Sequence, residues 1–360
     1  MIHPLHERYA DLLVAYCMDV QPGENVLLNL ESPAMALARP LVRAVLARGG
    51  VPHLRVSYPE LTEDLLACAP EAFFTAEPTL ELAEIRHTHA WLRVAAPTNS
   101  RALQSADKTK LGKLQTRNRP VQNLRLKTKW CGTLFPTASG AQDAGMSLDD
   151  FERFVYDAMF LFDDDPTARW LELREQQAAL IERLSRADEV RIIGDGTDLR
   201  LRVGGRRWVN SDGRRNMPSG EVFTGPLESS AEGTVTFNVP STLRGVEVRG
   251  VRLQFREGRV VHATAEKGED LLKAQLGTDE GARYLGELGI GTNSRIQRPI
   301  KSILFDEKIG GTVHLALGQA YEETGGTNAS AIHWDMICDL RQGGAIYLDG
   351  ELFQENGVFK

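Results

Sequence analysis

Residues 25–58 read NVLLNLESPAMALARPLVRAVLARGGVPHLRVSY and carry the clearest fold signal in the chain. The apolar run at 25–30 is typical of a buried strand. A helix is predicted for residues 32–48, because it begins with Ser-Pro and is followed by a Gly-Gly pair. Residues 51–58 form the next strand. A strand, a helix and a strand in this order form the repeating unit of a parallel sheet, so we predict an α/β fold.

The same alternation extends to both sides of this stretch. An amphipathic helix is predicted before it, at residues 5–19, where apolar side chains recur every three or four residues. Further elements are predicted after it: helices near 60–69, 77–86, 100–118, 147–162 and 166–187, and strands at 90–96 and near 130–135. The first half of the chain is therefore expected to be one α/β domain with a parallel sheet.

The pattern changes near residue 188. Strands dominate from there, and runs such as LRLRV (199–203) and VRLQF (251–255) alternate apolar with polar residues. This alternation is typical of antiparallel strands with one solvated face. A short helix is predicted at 269–276. We therefore predict two domains, an α/β domain at residues 1–187 and a mainly antiparallel α+β domain at residues 188–360.

Composition limits the class of function. The chain has 360 residues, more than a usual single core, and a net charge of −7 with a pI of about 5.7. An acidic chain argues against nucleic-acid binding and against acidic membrane surfaces. We find neither a signal peptide nor an apolar run long enough to span a membrane. The four cysteines are widely spaced, as expected of reduced thiols, and we expect a cytoplasmic protein.

The stretch 305–335 holds the first candidates for chemistry. His314 follows a Gly-Gly-Thr turn, and His333 and Asp335 form a His-x-Asp pair. On a strand, residues two apart point to the same face. Imidazole and carboxylate are usual ligands of divalent first-row metals, so we predict half of a metal site here.

Two upstream glutamates are candidates for the other half. Glu221 and Glu287 each follow a glycine and precede apolar residues. A carboxylate buried in such a setting needs a cation. The alternative for each is a solvent-exposed strand end. Taken with the three residues downstream, they give five nitrogen and oxygen ligands, which suit two divalent ions with a bridging water better than one tetrahedral zinc.

Four motifs carry a resemblance to a known family. They are NMPSGEVFTGP (216–226), YLGELGIG (284–291), LFDEKIGGTVHLALGQAY (304–321) and NASAIHWD (328–335). In this order they resemble the M29 family of metallo-aminopeptidases, also called thermophilic or leucyl-type aminopeptidases. The resemblance extends over the whole chain and includes a helical start and an α/β first domain.

The resemblance implies a function and a set of site residues. Family members release N-terminal residues from peptides, use two divalent ions (Zn²⁺ or Co²⁺, in some members Mn²⁺ or Mg²⁺) and form homodimers. The metal ligands implied are Glu221, Glu287, His314, His333 and Asp335. The active-site tyrosine falls on Tyr321, expected to donate a hydrogen bond to the developing oxyanion. Its alternative is a core tyrosine.

Some assignments stay open at this point. Glu287 is favoured as the carboxylate that bridges the two ions, with Glu221 as the other candidate. Asp306 and Glu307 are candidates for outer-shell or general-base residues. The chain is shorter than longer family members between Tyr321 and His333. It also reads DEKIGGTVH where they have DENAxCH. Both differences leave the preferred N-terminal residue undetermined.

Two other functions compete with the aminopeptidase. Some proteins that resemble this fold are mononuclear iron(II) dioxygenases that cleave the ring of a hydroxypyridine. His314, His333 and Asp335 could supply the ligands of such an iron ion. Such a site has no need for two glutamates, which favours the peptidase. The other competitor is a binding protein without catalysis. Loss of ligands is the expected mark of such a protein, and none is lost here.

Overall fold

The computed structural model describes residues 3–243 and 245–360 and divides the chain into two compact units. The first unit comprises the chain up to Arg169 together with Gly213–Pro218, and the second comprises Trp170–Asp212 and Ser219–Lys360. The division between the two units falls at Arg169, near the start of the long helix Pro166–Leu184. The boundary at residue 188 stays a prediction.

The helices and strands are numbered in chain order. The α-helices are α1 Pro4–Asp11, α2 Ala38–Ala47, α3 Leu61–Cys68, α4 Glu71–Thr75, α5 Thr79–Arg86, α6 Lys108–Arg125, α7 Ala138–Ala144, α8 Leu148–Ala158, α9 Pro166–Leu184, α10 Glu269–Leu276 and α11 Ile303–Asp306. The strands are β1 Asn25–Glu31, β2 Val51–Ser57, β3 Ala90–Ala95, β4 Lys129–Leu134, β5 Glu189–Gly194, β6 Thr197–Arg202, β7 Val209–Ser211, β8 Asn216–Met217, β9 Glu221–Thr224, β10 Glu232–Phe237, β11 Ser241–Leu243, β12 Val246–Val248, β13 Val251–Arg256, β14 Arg259–Thr264, β15 Leu285–Gly291, β16 Thr312–Gly318, β17 His333–Asp339, β18 Ala345–Leu348, β19 Glu351–Glu355 and β20 Val358–Phe359.

The first unit is built on a parallel sheet with the strand order β2-β1-β3-β4-β8. Helix α2 connects β1 to β2 and buries Leu41, Ala44 and Val45. This is the strand–helix–strand unit predicted from residues 25–58. The last strand, β8, is only two residues long and comes from the second half of the chain. Such a short strand has no periodic pattern, so it was not predicted.

Helix boundaries differ from the predictions in places. The helix predicted for 5–19 ends as an α-helix at Asp11 and continues as a π-helical turn, Leu12–Cys17. The helix predicted for 100–118 was misplaced, because α6 begins at Lys108. The Asp107 side chain caps it by accepting hydrogen bonds from two backbone amides. The helix also continues past Pro120 to Arg125. Three short helices, α4, α7 and α11, were missed.

The second unit contains two large antiparallel sheets. The eight-strand sheet has the order β14-β13-β10-β6-β5-β18-β19-β20, and the five-strand sheet has the order β17-β16-β15-β9-β7. Strands β11 and β12 form a separate pair. The predicted fold class, a parallel-sheet α/β half followed by a mainly antiparallel α+β half, is therefore confirmed. No helix in the described ranges is long and apolar enough to cross a membrane.

Alternation along the five-strand sheet separates its two faces. On β16, Val313, Leu315 and Leu317 belong to the apolar core that also includes residues of the eight-strand sheet. His314 and Ala316 lie between them and therefore point to the opposite face. Because the apolar core determines which side chains of β16 point inward, it also determines that His314 and Ala316 point to the other face of the sheet.

Candidate metal centre

Strand register brings the five predicted ligands to one face of the five-strand sheet. Each has glycine or alanine as a cross-strand partner, and these partners add almost no side chain to that face. The pairs are Glu221–Gly291, Glu287–Ala316, His314–Gly289, His333–Gly318 and Asp335–Ala316. The face is therefore lined by carboxylates and imidazoles, and the small partners leave room for these side chains.

The five side chains form two overlapping groups that share Glu287. One group is Glu221, Glu287 and His314, and the other is Glu287, His333 and Asp335. Within each group the possible ligand atoms all lie within 4.8 Å of one another. One carboxylate oxygen of Glu287 lies 3.2 Å from His314 Nε2, and the other lies 3.4 Å from His333 Nε2. Glu287 thus presents one oxygen to each group.

Two glycines make this close packing possible. A Cβ on Gly289 would lie 2.0 Å from Nε2 of His314, so a larger residue cannot stand beside that imidazole without displacing it. Gly220 has a φ of +112° and would place a Cβ 2.7 Å from the Cβ of Asn293. Only glycine adopts this backbone conformation readily. The turn before Glu221 therefore depends on Gly220.

Burial and mutual charge shift the pKa values of these groups. Burial alone would raise the pKa of Glu287, but hydrogen bonds from His314 and His333 hold it below its ordinary value. Burial likewise acts to lower the pKa of His314, but Glu287 and Glu221 raise it to about 9. The carboxylate of Asp335 is the main group that raises the pKa of His333 to about 12, again against burial. The cluster therefore attracts positive charge strongly.

Backbone contacts orient two of the candidate ligands. His333 Nδ1 donates to the carbonyl oxygen of Gln319 at 2.7 Å, so its Nε2 is directed to the cluster. The buried Gln177 on α9 donates to the carbonyl oxygen of Glu221 at 2.8 Å and to Thr292 Oγ1 at 3.0 Å. Neither Gln319 nor Gln177 was predicted from the sequence to support the site. Gln177 is a polar residue on the buried side of a helix, which was the available signal.

Tyr321 lies beside the second group. Its ring is 4.9 Å from that of His333 and 5.7 Å from that of Phe223, measured between ring centres. The residue is 44% exposed and follows a strand, so it is not the core tyrosine of the alternative reading. Partial burial and the nearby carboxylate of Glu287 raise the pKa of its phenol, which therefore keeps its proton at neutral pH.

Asp306, Glu307 and Lys308 have different environments. Asp306 is buried and accepts a hydrogen bond from the backbone amide of Ile300 at 2.8 Å. It lies in neither ligand group. Glu307 contacts Lys308, which is fully buried and lies 3.4 Å from Glu221. Sequence analysis did not single out Lys308, although a lysine in an apolar, glycine-rich stretch was the visible signal.

The five residues fit divalent ions for two reasons: some of their buried oxygen atoms lack a hydrogen-bond partner in the described structure, and their side chains are of the types that bind such ions. Within the described part of the chain, Glu221 Oε2 and Asp335 Oδ1 are buried without a hydrogen-bond partner. Buried carboxylate oxygens are costly unless a cation or donor satisfies them. Carboxylate oxygens and imidazole nitrogens together are ligands that zinc and similar ions accept.

Comparison with known families identifies the chain. The family described as "Thermophilic metalloprotease (M29)" matches residues 3–359. The chain belongs to the M29 family. The relationship indicated by four motifs is thus confirmed over nearly the whole length, and with it the assignment to the metal-dependent peptidases.

Individual M29 relatives agree with this assignment. Aminopeptidase 2 of Geobacillus stearothermophilus is 29% identical over 384 residues, covering 92% of this chain and 91% of that protein. Aminopeptidase T of Thermus thermophilus is 30% identical over 353 residues, covering 88% of this chain and 85% of the relative. The solved structure of AmpT from Thermus thermophilus superposes with a TM-score of 0.84 at 26% identity, covering 99% of this chain and 98% of that one.

A more distant structure shares the fold. It is 2,5-dihydroxypyridine dioxygenase from Pseudomonas putida KT2440, with a TM-score of 0.58 and 15% identity, covering 99% of this chain and 96% of that one. At this identity the similarity concerns the fold alone. It gives the dioxygenase alternative no support at the level of the site.

Proposed function

We propose that this M29 chain is a metal-dependent aminopeptidase that removes N-terminal residues from peptides. The similar proteins that are named aminopeptidases support the reaction class. The proposed ligands are the residues of the two groups: Glu221, Glu287, His314, His333 and Asp335. The proposed catalytic residues are Glu287 and Tyr321.

The observation that carries a two-ion site is the position of Glu287. Its two oxygens face different imidazoles, at 3.2 and 3.4 Å, so one carboxylate serves both ligand groups. A single ion would leave one group without its cation. The ligand carboxylates, Glu221, Glu287 and Asp335, are buried or nearly so, and two divalent ions would compensate their charge better than one.

When bound, two divalent ions would supply a water of lowered pKa and polarise the carbonyl of the scissile peptide bond. The chain's own residues would hold and complete this arrangement. Glu287 would fix the spacing of the two sites. Tyr321 keeps its phenolic proton and stands at the edge of the cluster, where it could donate a hydrogen bond to the developing oxyanion.

Further properties are part of the proposal. Zn²⁺ or Co²⁺ is the expected metal, with Mn²⁺ or Mg²⁺ as alternatives. We also propose a homodimer, because β2 is an edge strand on which Val51, Leu54 and Val56 are exposed. The four free cysteines suit the reducing cytoplasm, and the charge of −7 argues against nucleic acid as a partner.

The test begins with metal-free protein. It is reconstituted with Zn²⁺, Co²⁺ or Mn²⁺ at zero, one and two equivalents and assayed on a panel of aminoacyl-p-nitroanilides. Bound metal is measured by mass spectrometry after removal of free ions. We expect activity only with metal, a maximum at two equivalents, and no cleavage when the substrate amine is acetylated.

Other outcomes would redirect the assignment. Full activity without metal would refute the metal mechanism, and full activity at one equivalent would refute the two-ion site. A protein that binds one iron and consumes dioxygen with 2,5-dihydroxypyridine, without peptide cleavage, would be a dioxygenase. The two glutamates in one ligand group favour the peptidase, because a mononuclear iron site does not need both.

A further inference from the structure

Lys308 is the most completely buried cation near the metal cluster. Its side chain has no exposed surface, and its ammonium lies 3.4 Å from Glu221 Oε1 and contacts the carboxylate of Glu307. A buried ammonium is costly in free energy unless its partners are ionised and close. A lysine in this position therefore requires a structural or functional reason.

The two oxygens of Glu221 face different partners. Oε1 faces the Lys308 ammonium at 3.4 Å, whereas Oε2 lies 3.2 Å from His314 Nε2 and has no hydrogen bond in the described structure. The lysine thus occupies one side of the carboxylate. Only the other oxygen is left to face the first ligand group.

The backbone of Lys308 is itself fixed. Its amide donates to the carbonyl oxygen of Phe305 at 3.0 Å, and its carbonyl oxygen accepts from the amide of Asn293 at 3.0 Å. The ammonium is held between the carboxylates of Glu221 and Glu307 and has no exposed surface. A cation fixed in this way can orient a carboxylate.

We propose that Lys308 is a positioning residue that holds Glu221 by one oxygen and directs the other oxygen to the first ion. Lys308 forms an ion pair with Glu221 of the first group, whereas no ion pair joins it to Glu287, His333 or Asp335 in the described structure, although its charge also acts on Asp335 at longer range. The two ion sites are therefore unequal, and Lys308 positions a ligand of one of them. This inference rests on the proposed two-ion site and adds a residue to it.

The sign of an affinity change separates positioning from simple electrostatics. A positive charge near a cation site repels the ion, so removal of a purely electrostatic lysine would strengthen metal binding. Removal of a positioning lysine leaves one oxygen of the buried Glu221 carboxylate without its partner, so the carboxylate is free to rotate. Metal binding then weakens, by about 10–100-fold as for other outer-shell partners.

The experiment compares metal-free wild type with Lys308→Met by calorimetric titration with Zn²⁺. We expect the wild type to bind two ions and Lys308→Met to bind one of them about 10–100-fold more weakly. Repeating both titrations in the Asp335→Asn background, where the second group is broken, isolates the first site. Lys273→Met, which removes an exposed cation paired with Glu269, is the matched control and should not change either affinity.

A double variant protects the test against misfolding. Lys308→Met combined with Glu307→Gln removes the lysine together with its second carboxylate partner, so less unpaired charge is left buried. If Lys308 acts through Glu221, the double variant keeps the weakened first site. Stronger binding, unchanged binding or equal weakening of both sites in the double variant would overturn the inference. A wild type that binds one ion would refute the proposed ion count instead.

Discussion

The two large sheets of the second unit follow the same alternation but differ in what lies on the face away from the core. Strands β6 and β13 of the eight-strand sheet alternate strictly between buried and exposed residues. Strands β15 and β16 of the five-strand sheet are buried at every position. The outer face of one sheet is solvated, whereas that of the other holds the candidate metal ligands.

The ion pairs of the two regions differ in their exposure to solvent. Arg191 and Asp198 on the eight-strand sheet lie 2.7 Å apart but are 34% and 56% exposed. Lys308 and Glu221 lie farther apart, at 3.4 Å, but are 0% and 6% exposed. Water satisfies the first pair if it breaks, whereas burial keeps water away from the second. Burial rather than distance therefore indicates which charges matter for function.

The largest effect on metal binding and activity is expected from Glu287→Gln, which changes the residue shared by both ligand groups. Glu287→Gln removes the charge shared by both ligand groups. We expect the protein to retain at most one ion and to lose peptidase activity, with metal affinity lowered by more than about 100-fold. Metal analysis and the p-nitroanilide assay measure these changes. A variant that keeps two ions and the wild-type rate would show that Glu287 bridges nothing.

Tyr321→Phe should have the next largest effect. It removes one hydroxyl at the edge of the buried face and leaves the ring contacts with Phe223 and His333 in place. We expect kcat to fall by about 100-fold, with bound metal and thermal stability unchanged, because a placed oxyanion donor contributes about this much. If only KM rises, or if metal is lost as well, the tyrosine has another role.

Gly289→Ala tests whether the buried face needs its small residues. The added Cβ would overlap His314 Nε2, so we expect a loss of about 1–3 kcal/mol in unfolding free energy and weaker metal binding. The matched control is Gly112→Ala in helix α6, where nothing lies within 4 Å of the new Cβ. Chemical denaturation compares the two. Equal stability of both variants would contradict the packing argument.

The same comparison explains how much the sequence could reveal. Alternating runs predicted antiparallel strands that belong to the eight-strand sheet, because one solvated face leaves a clear pattern. On β15 and β16 both faces are buried, yet Glu287 and His314 stood out as polar residues in strands made otherwise mostly of apolar residues and glycine. Motifs of known order then supplied the ligand set. The ligand set itself stays a prediction.

Other features depend on contacts between residues far apart in sequence. The pairing of Glu287 with two imidazoles depends on strand register, which no local pattern encodes. Lys308 becomes notable only when Glu221 lies beside it, and the two are 87 positions apart in the printed numbering. The helix predicted for 100–118 was misplaced for a local reason, since the capping role of Asp107 was overlooked.

Asp306→Asn should give a moderate, pH-dependent effect. Burial raises the pKa of Asp306 from 3.8 to about 7, so the folded state holds its proton more tightly than the unfolded state. Its contribution to stability is complete below about pH 4 and is lost as the pH rises to about 7, with a slope of at most about 1.4 kcal/mol per pH unit. The variant should lack this component in denaturation series from pH 4 to 8. An unchanged slope would contradict a buried, protonated Asp306.

Asp198→Asn should have the smallest effect, and this contrast completes the comparison of the two sheets. The Arg191 guanidinium lowers the pKa of Asp198, so their bidentate pair is fully formed at neutral pH. Both side chains nevertheless remain open to water, and salt screens their attraction. We expect no measurable change in the thermal midpoint at physiological salt and none in bound metal. A clear destabilisation by Asp198→Asn would mean that exposed pairs on the eight-strand sheet matter as much as buried ones, which would refute the distinction drawn from burial.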